Sequence, residues 1–224
     1  REDFSLNAED YCGLHQNIVI ANPNAPTGMT IPVSDIETIV QTNPDHVVLI
    51  DEAYVDFGAE SCRGLIGQYE NLLVCQTFSK SRSMAGGRLG FALGSAGLIA
   101  DLNKIKYSTN PYNINRLTLV AAEAAVDSDA YYRENCQKIQ DNRAYTVEEL
   151  AKLGFTTLPS LANFIFTRCP GMDGGALYRE LKRRGVLVRY WNKPELRDYV
   201  RVTIGSREQM DRFLDTVRAI LKEG

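Results

Sequence analysis

The sequence predicts an α/β protein: a mostly parallel sheet, followed by a smaller α+β unit. Three observations point there. The apolar runs Ile18 to Ala21, Val47 to Ile50 and Leu72 to Cys75 are short and continuous. Continuous rather than alternating apolar runs suggest strands covered on both faces, the habit of parallel sheets. Helical patterns or long connections separate the runs, and the polar residues that stand out (Asn24, Asp51, Tyr54, Ser79, Lys80) follow their carboxyl ends. Sheets of this kind bind ligands beyond those ends.

The elements follow in order. The first strand stops at Asn22-Pro-Asn-Ala-Pro-Thr-Gly28, where prolines, asparagines and a glycine force a loop. Ser34 is expected to cap a helix, with Glu37 as its capping-box partner and Ile36, Ile39 and Val40 inward. The second strand ends in Asp51-Glu-Ala-Tyr54. The third leads into Thr77-Phe-Ser-Lys80, and a fourth is expected over 90–93. Ser108 to Asn115 reads as a polar break and a hinge. Helices are expected over 117–126 and 131–153, the second ended by Gly154. Strands follow over 155–158 and 163–167, then a helix near 176–184 closed by Gly185, then strands over 186–190 and 199–204. Ser206 is expected to cap the last helix in a box with Gln209, burying Met210, Phe213, Leu214, Val217 and Leu221. No internal repeat or low-complexity segment is evident.

Composition is that of an ordinary globular protein, with 44% hydrophobic and 24% charged residues. A net charge of −3 gives no reason to expect nucleic acid or a membrane surface as partner. The cysteines (Cys12, Cys62, Cys75, Cys136, Cys169) are scattered and odd in number, which reads as reduced thiols in a cytoplasmic protein. His15 and His46 are too few for a zinc cluster and read as solvated. No run is long and apolar enough to span a bilayer. The opening Arg1 to Asn7 is expected not to be a natural start.

The chemistry concentrates around Lys80. It sits in a hydroxyl-rich turn, with Arg88 following among glycines. Glycines let a backbone approach a ligand closely, and an arginine there can fork onto a phosphate. Lysines in apolar or cation-rich sites become nucleophiles towards carbonyls. Together these residues suggest a Schiff-base site for a phosphorylated aldehyde cofactor.

At this point a resemblance is specific. Asn22 to Gly28, Asp51-Glu-Ala-Tyr54, Thr77-Phe-Ser-Lys80 through Gly87-Arg-Leu-Gly90, and Arg201-Val-Thr-Ile-Gly205 stand in the order found in fold-type-I aminotransferases dependent on pyridoxal phosphate. Asp51 to Tyr54, Pro111-Tyr-Asn-Ile-Asn115 and Gly185-Val-Leu-Val-Arg-Tyr190 resemble the branch of histidinol-phosphate aminotransferases. The resemblance implies pyridoxal 5'-phosphate as cofactor. It implies amino transfer between L-histidinol phosphate and 2-oxoglutarate in a cytoplasmic homodimer, with no metal. An aromatic amino-acid aminotransferase, a threonine-phosphate decarboxylase and a catalytically silent domain remain alternatives.

The resemblance also assigns roles. Lys80 would form the Schiff base and move the substrate proton. Asp51 would pair with the pyridinium nitrogen, and Tyr54 would donate to the phenolic oxygen, although a half-buried core tyrosine reads equally. Glu52 reads as a structural neighbour. Arg88, Ser79 and Thr77 would hold the cofactor phosphate; Arg82 fits a surface salt bridge better. Arg201 would grip the substrate's anionic end. Arg189 is either a second anion anchor or an edge residue facing water. Asn24 is either a cofactor contact or a loop-structuring residue, because Ala25 stands where the family commonly has the asparagine on the phenolic oxygen. Family chains are longer at the amino end, so the 224 residues are expected to be a carboxyl-terminal portion: residues 1–112 from the large cofactor domain, and 113–224 the small domain with the interdomain helix.

Overall fold

The computed structural model describes residues 1–223. Its first sheet has the order β1 (Ile18–Ala21), β2 (Val48–Asp51), β3 (Leu72–Thr77), β4 (Gly90–Gly94). The first three strands are parallel and β4 is antiparallel to β3, so the sheet is mixed and mostly parallel. Helix α1 (Val33–Thr42) crosses between β1 and β2 and buries Ile36, Ile39 and Val40 against the sheet. That core includes Ile18, Ile20, Val48, Ile50, Leu72 and Val74. The register aligns Asp51 of β2 with Ala21 of β1 and Cys75 of β3, so the strands present their carboxyl ends together.

The cover expected on both faces of β1 is present on one. Along this strand Ile18 and Ile20 are buried while Val19, pointing the other way, is 71% exposed. Strand side chains alternate between faces, so a single-sided cover gives this split.

Three helices follow: α2 (Ala96–Thr109), α3 (Arg116–Asp127) and α4 (Asp129–Lys152). Helix α2 was not evident from sequence, and the polar break expected from Ser108 begins only after its last turn. No α2 residue is buried, so its apolar side chains form no stripe facing a core. Asn115 caps α3, its side-chain Oδ1 accepting from the Thr118 amide at 2.9 Å. Leu117 on α3 is 83% exposed and Tyr112, just before it, 90%.

The second sheet has the order β5 (Thr156–Thr157), β6 (Phe164–Arg168), β8 (Tyr199–Thr203), β7 (Arg189–Tyr190), all antiparallel. Helices α5 (Gly174–Arg183) and α6 (Arg207–Glu223) pack with α4 around Ile165, Leu177, Leu181, Val202, Phe213 and Leu214. The expected strands at 155–158 and 186–190 shrink to β5 and β7, two residues each.

The two caps fare differently. Ser206 and Gln209 form the expected box, with the Ser206 amide donating to Gln209 Oε1 at 2.9 Å and the Gln209 amide to Ser206 Oγ at 3.3 Å. Ser34 caps nothing. Helix α1 starts at Val33 with Pro32 in the cap position and no side-chain bond, leaving Ser34 inside the first turn. The histidines are not independent surface groups: their rings meet edge-on at 6.2 Å, and His46 is half-buried.

Buried bonds join the two sheets. Arg143 of α4 is buried and donates from Nη1 to the carbonyls of Phe57 (3.0 Å) and Ala162 (2.6 Å). The Leu161 amide donates to the Gly28 carbonyl at 2.9 Å.

Candidate active site

Asp51, Thr77, Ser79, Lys80 and Arg88 line one hollow of about 470 Å³, with Cys75, Val19 and Leu49 on its floor. Their convergence follows from topology. Parallel β2 and β3 stop side by side, so Asp51 and the Thr77 turn emerge at the same edge. The turn is held by its own hydroxyls: the Ser79 amide donates to Thr77 Oγ1 at 3.1 Å, Thr77 Oγ1 donates to the Leu89 carbonyl at 3.2 Å, and the two hydroxyls lie 3.0 Å apart. Arg88 has φ of +54°, which turns the chain back towards the hollow. Its Nη1 donates to the Ala85 carbonyl at 2.9 Å, and no carboxylate pairs with it among the described residues. Arg82, by contrast, pairs with Asp129 at 2.6 Å, the structural role expected of it.

The carboxylates beside the hollow are separately held. Asp51 Oδ1 accepts from the Ala53 amide at 3.0 Å. Glu52 is buried, pointing away into the protein. It accepts from Ser61 Oγ (2.6 Å), the Cys62 amide (2.6 Å) and Gln76 Nε2 (2.8 Å), fixing the end of β2 to β3. On the other side of the lysine, Ser81 Oγ donates to Asp56, a bond no sequence signal announced. Burial, and then Asp51, push the Cys75 thiol above its ordinary range, which disfavours the nucleophilic thiolate in the hollow.

Tyr54 lies above the lysine, with Lys80 Nζ 5.4 Å from its ring centre. The tyrosine meets Phe164 edge-on at 5.0 Å, and the Arg201 guanidinium lies 4.8 Å from the other ring of that pair, Phe164. Thus the second sheet reaches the lysine through an aromatic contact. Arg189 stands directly opposite Arg201 across β7 and β8. Neither forms an ion pair among the described residues, and Arg201 Nε is buried without a hydrogen-bond partner.

Asn24 stands apart. Its Nδ2 donates to Thr27 Oγ1 at 2.9 Å, and it lines a neighbouring hollow that adjoins the first at Val19. Asn22 is buried and clamps the loop through both directions of bonding with Ile31. Phe164 and Trp191 escaped the sequence reading. For Trp191 a signal existed: it is the only tryptophan and stands two residues from Arg189, hence on the same face of an extended chain.

Residues 1–217 match the family model described as aminotransferase class I and II. The chain belongs to the class I and II aminotransferase family. Similar proteins include the histidinol-phosphate aminotransferase of Acinetobacter baumannii strain AYE, 48% identical over 97% of this chain and 60% of that protein. That of Marinomonas sp. strain MWYL1 is 50% identical over 93% of this chain and 60% of that protein. The chain therefore spans 60% of the length of these curated relatives. Among solved aminotransferase structures, the histidinol-phosphate aminotransferase of Clostridium acetobutylicum superposes with a TM-score of 0.91 at 27% identity, covering 100% of this chain and 70% of that one. That of Sinorhizobium meliloti, a complex with pyridoxal-5'-phosphate, gives 0.79 at 26% identity over 90% of this chain and 57% of that one. The mixed, mostly parallel sheet is that of these aminotransferases.

Proposed function

We propose that this chain serves pyridoxal-phosphate-dependent amino transfer between L-histidinol phosphate and 2-oxoglutarate, a step of histidine biosynthesis. The observation that carries the reading is the single hollow shared by Lys80, Asp51, Thr77, Ser79 and Arg88. Its donor set fits the cofactor: an amine for an aldehyde, a carboxylate for a ring nitrogen, and hydroxyls with an unpaired guanidinium for a phosphate. The names of the relatives, and the cofactor in the Sinorhizobium meliloti structure, support the same choice.

When bound, pyridoxal phosphate supplies an aldehyde that condenses with amines and a protonated ring that accepts an electron pair. Lys80 would supply the amine that holds the aldehyde, and its Nζ would carry the proton taken from the substrate's Cα. Asp51, oriented by the Ala53 amide, keeps the proton on the ring nitrogen. Tyr54, beside Lys80, would donate its hydroxyl to the phenolic oxygen. Arg88 and the hydroxyls of Thr77 and Ser79 hold the phosphate. Arg201 and Arg189 receive the substrate's anionic group; two adjacent guanidinium groups without carboxylate partners favour a phosphorylated substrate over phenylalanine. Asn24, bonded to Thr27, shapes the loop before α1.

Residues 1–112 belong to the large cofactor domain and 113–224 to the small one, a division supported by the separate apolar cores of the two sheets. The exposed apolar side chains of α2 and α3 support a homodimer. The free cysteines support a cytoplasmic protein.

The test is the absorbance of the purified chain after adding pyridoxal phosphate, before and after borohydride. A visible band that borohydride abolishes, and that Lys80→Ala lacks, is expected. A band unchanged in that variant refutes the lysine assignment. Assays of the same protein with histidinol phosphate, phenylalanine and threonine phosphate identify the substrate, with turnover expected for the first alone.

A further inference from the structure

Strand β7 sets Arg189 opposite Arg201 of β8. Like charges directly opposite across a ladder destabilise it unless something intervenes. Here an indole lies beside both side chains. Trp191, two residues after Arg189 and on the same face, has the Arg189 guanidinium 5.3 Å and the Arg201 guanidinium 5.4 Å from its ring centre. Arg201 is thereby held between two aromatic rings, Trp191 and Phe164, the latter at 4.8 Å. The indole is itself propped edge-on against Phe166 at 6.3 Å. No carboxylate pairs with either arginine among the described residues, and Arg201 Nε is buried without a partner.

We infer that Trp191 is a positioning residue whose indole carries both guanidinium groups and keeps them converged on one dianionic phosphate monoester of the substrate. The inference rests on the proposed amino-transfer reading only for the identity of that substrate. Its physical basis is separate. A ring face attracts a guanidinium through its quadrupole and restricts the rotation of a long side chain, so less freedom is lost when the anion binds. The ring offsets only part of the repulsion between the two cations, and an anion joining them offsets the rest, which favours a double negative charge.

The single tryptophan makes this testable without turnover. The full chain carrying Arg88→Met, which removes the other candidate phosphate ligand, is titrated with methyl phosphate. A saturable change in tryptophan fluorescence is expected, and Arg201→Met should abolish it. No change at saturating methyl phosphate, with binding seen by phosphorus NMR line broadening, overturns the inference. In the same background the NMR titration compares Trp191→Phe with Trp191→Leu. The phenyl ring is expected to hold affinity within about threefold and leucine to lose about tenfold. Equal affinities for the two variants overturn the inference. Should the leucine variant fail to fold, the fluorescence titration still decides. A borohydride-sensitive band at Lys80 alongside a silent tryptophan refutes only the Trp191 role; a responsive tryptophan without that band refutes only the cofactor reading.

Discussion

Around Lys80, individual residues are fixed by bonds whose loss is measurable. Asp129 accepts hydrogen bonds from Arg82 and Arg133, which hold its carboxyl below the ordinary value of 3.8. A depressed carboxylate stabilises the fold above its unfolded value, and the gain is lost as pH falls through its folded value. Asp129→Asn should therefore lower the melting temperature at pH 7, with the gap to wild type closing below about pH 4. Scans at both pH values read this directly; a gap that persists in acid would mean the effect is not the ion pair. Cys75 offers a chemical check. Because burial and Asp51 raise its thiol above the ordinary range, iodoacetamide at neutral pH should modify it more slowly than a free thiol although it lines an accessible hollow. Peptide mass mapping decides the point. Of these residues, Lys80, Asp51, Tyr54 and Arg88 were visible in the sequence because each stands in a short contiguous motif. Phe164 was not, since its value comes from lying beside Tyr54, far away in the chain.

Single elements respond to local rules where the chain is locally determined. The Ser206–Gln209 box was legible because all its atoms lie within four consecutive residues. Ser206→Ala should destabilise the protein by about 0.5–2 kcal/mol, read by urea unfolding. The Ser34 box failed because α1 begins two residues earlier than a Ser34 cap requires, behind Pro32, and that start depends on how the proline-rich loop leaves β1. Within that loop Gly28 has φ of +78°, and a Cβ there would approach Ser160 Cβ to 2.6 Å. Gly28→Ala combines left-handed strain with a collision against the second half of the chain. It should cost about 1–3 kcal/mol from backbone strain alone, with the collision added. Helix α2 escaped detection for the opposite reason: it buries no residue, so no stripe marks it.

Across the whole molecule, Arg143 is the bolt between the two sheets. It is buried, burial lowers its proton affinity, and it serves two carbonyls that lie on either side of it in sequence. Arg143→Met leaves both carbonyls without their donor at about 1–3 kcal/mol each. The expected result is a lower midpoint in urea together with weaker cofactor binding, because Tyr54, beside Lys80 in the first half, meets Phe164 of the second across this joint. Unchanged cofactor affinity in a destabilised variant would show that the joint supports stability only. The bare face of β1 and the exposed side chains of α2 and α3 are further properties at this scale.

The order of the strands, every long helix but α2, and the mostly parallel habit of the first sheet were written in the sequence. Apolar runs, turn residues and glycines act over a few neighbours, so their signals are contiguous. Tertiary structure alone decided that Asn24 turns to Thr27, that Trp191 lies against two arginines, and that one face of β1 stays open. A side chain's direction in each case is set by what already occupies the space around it, near or far in the chain.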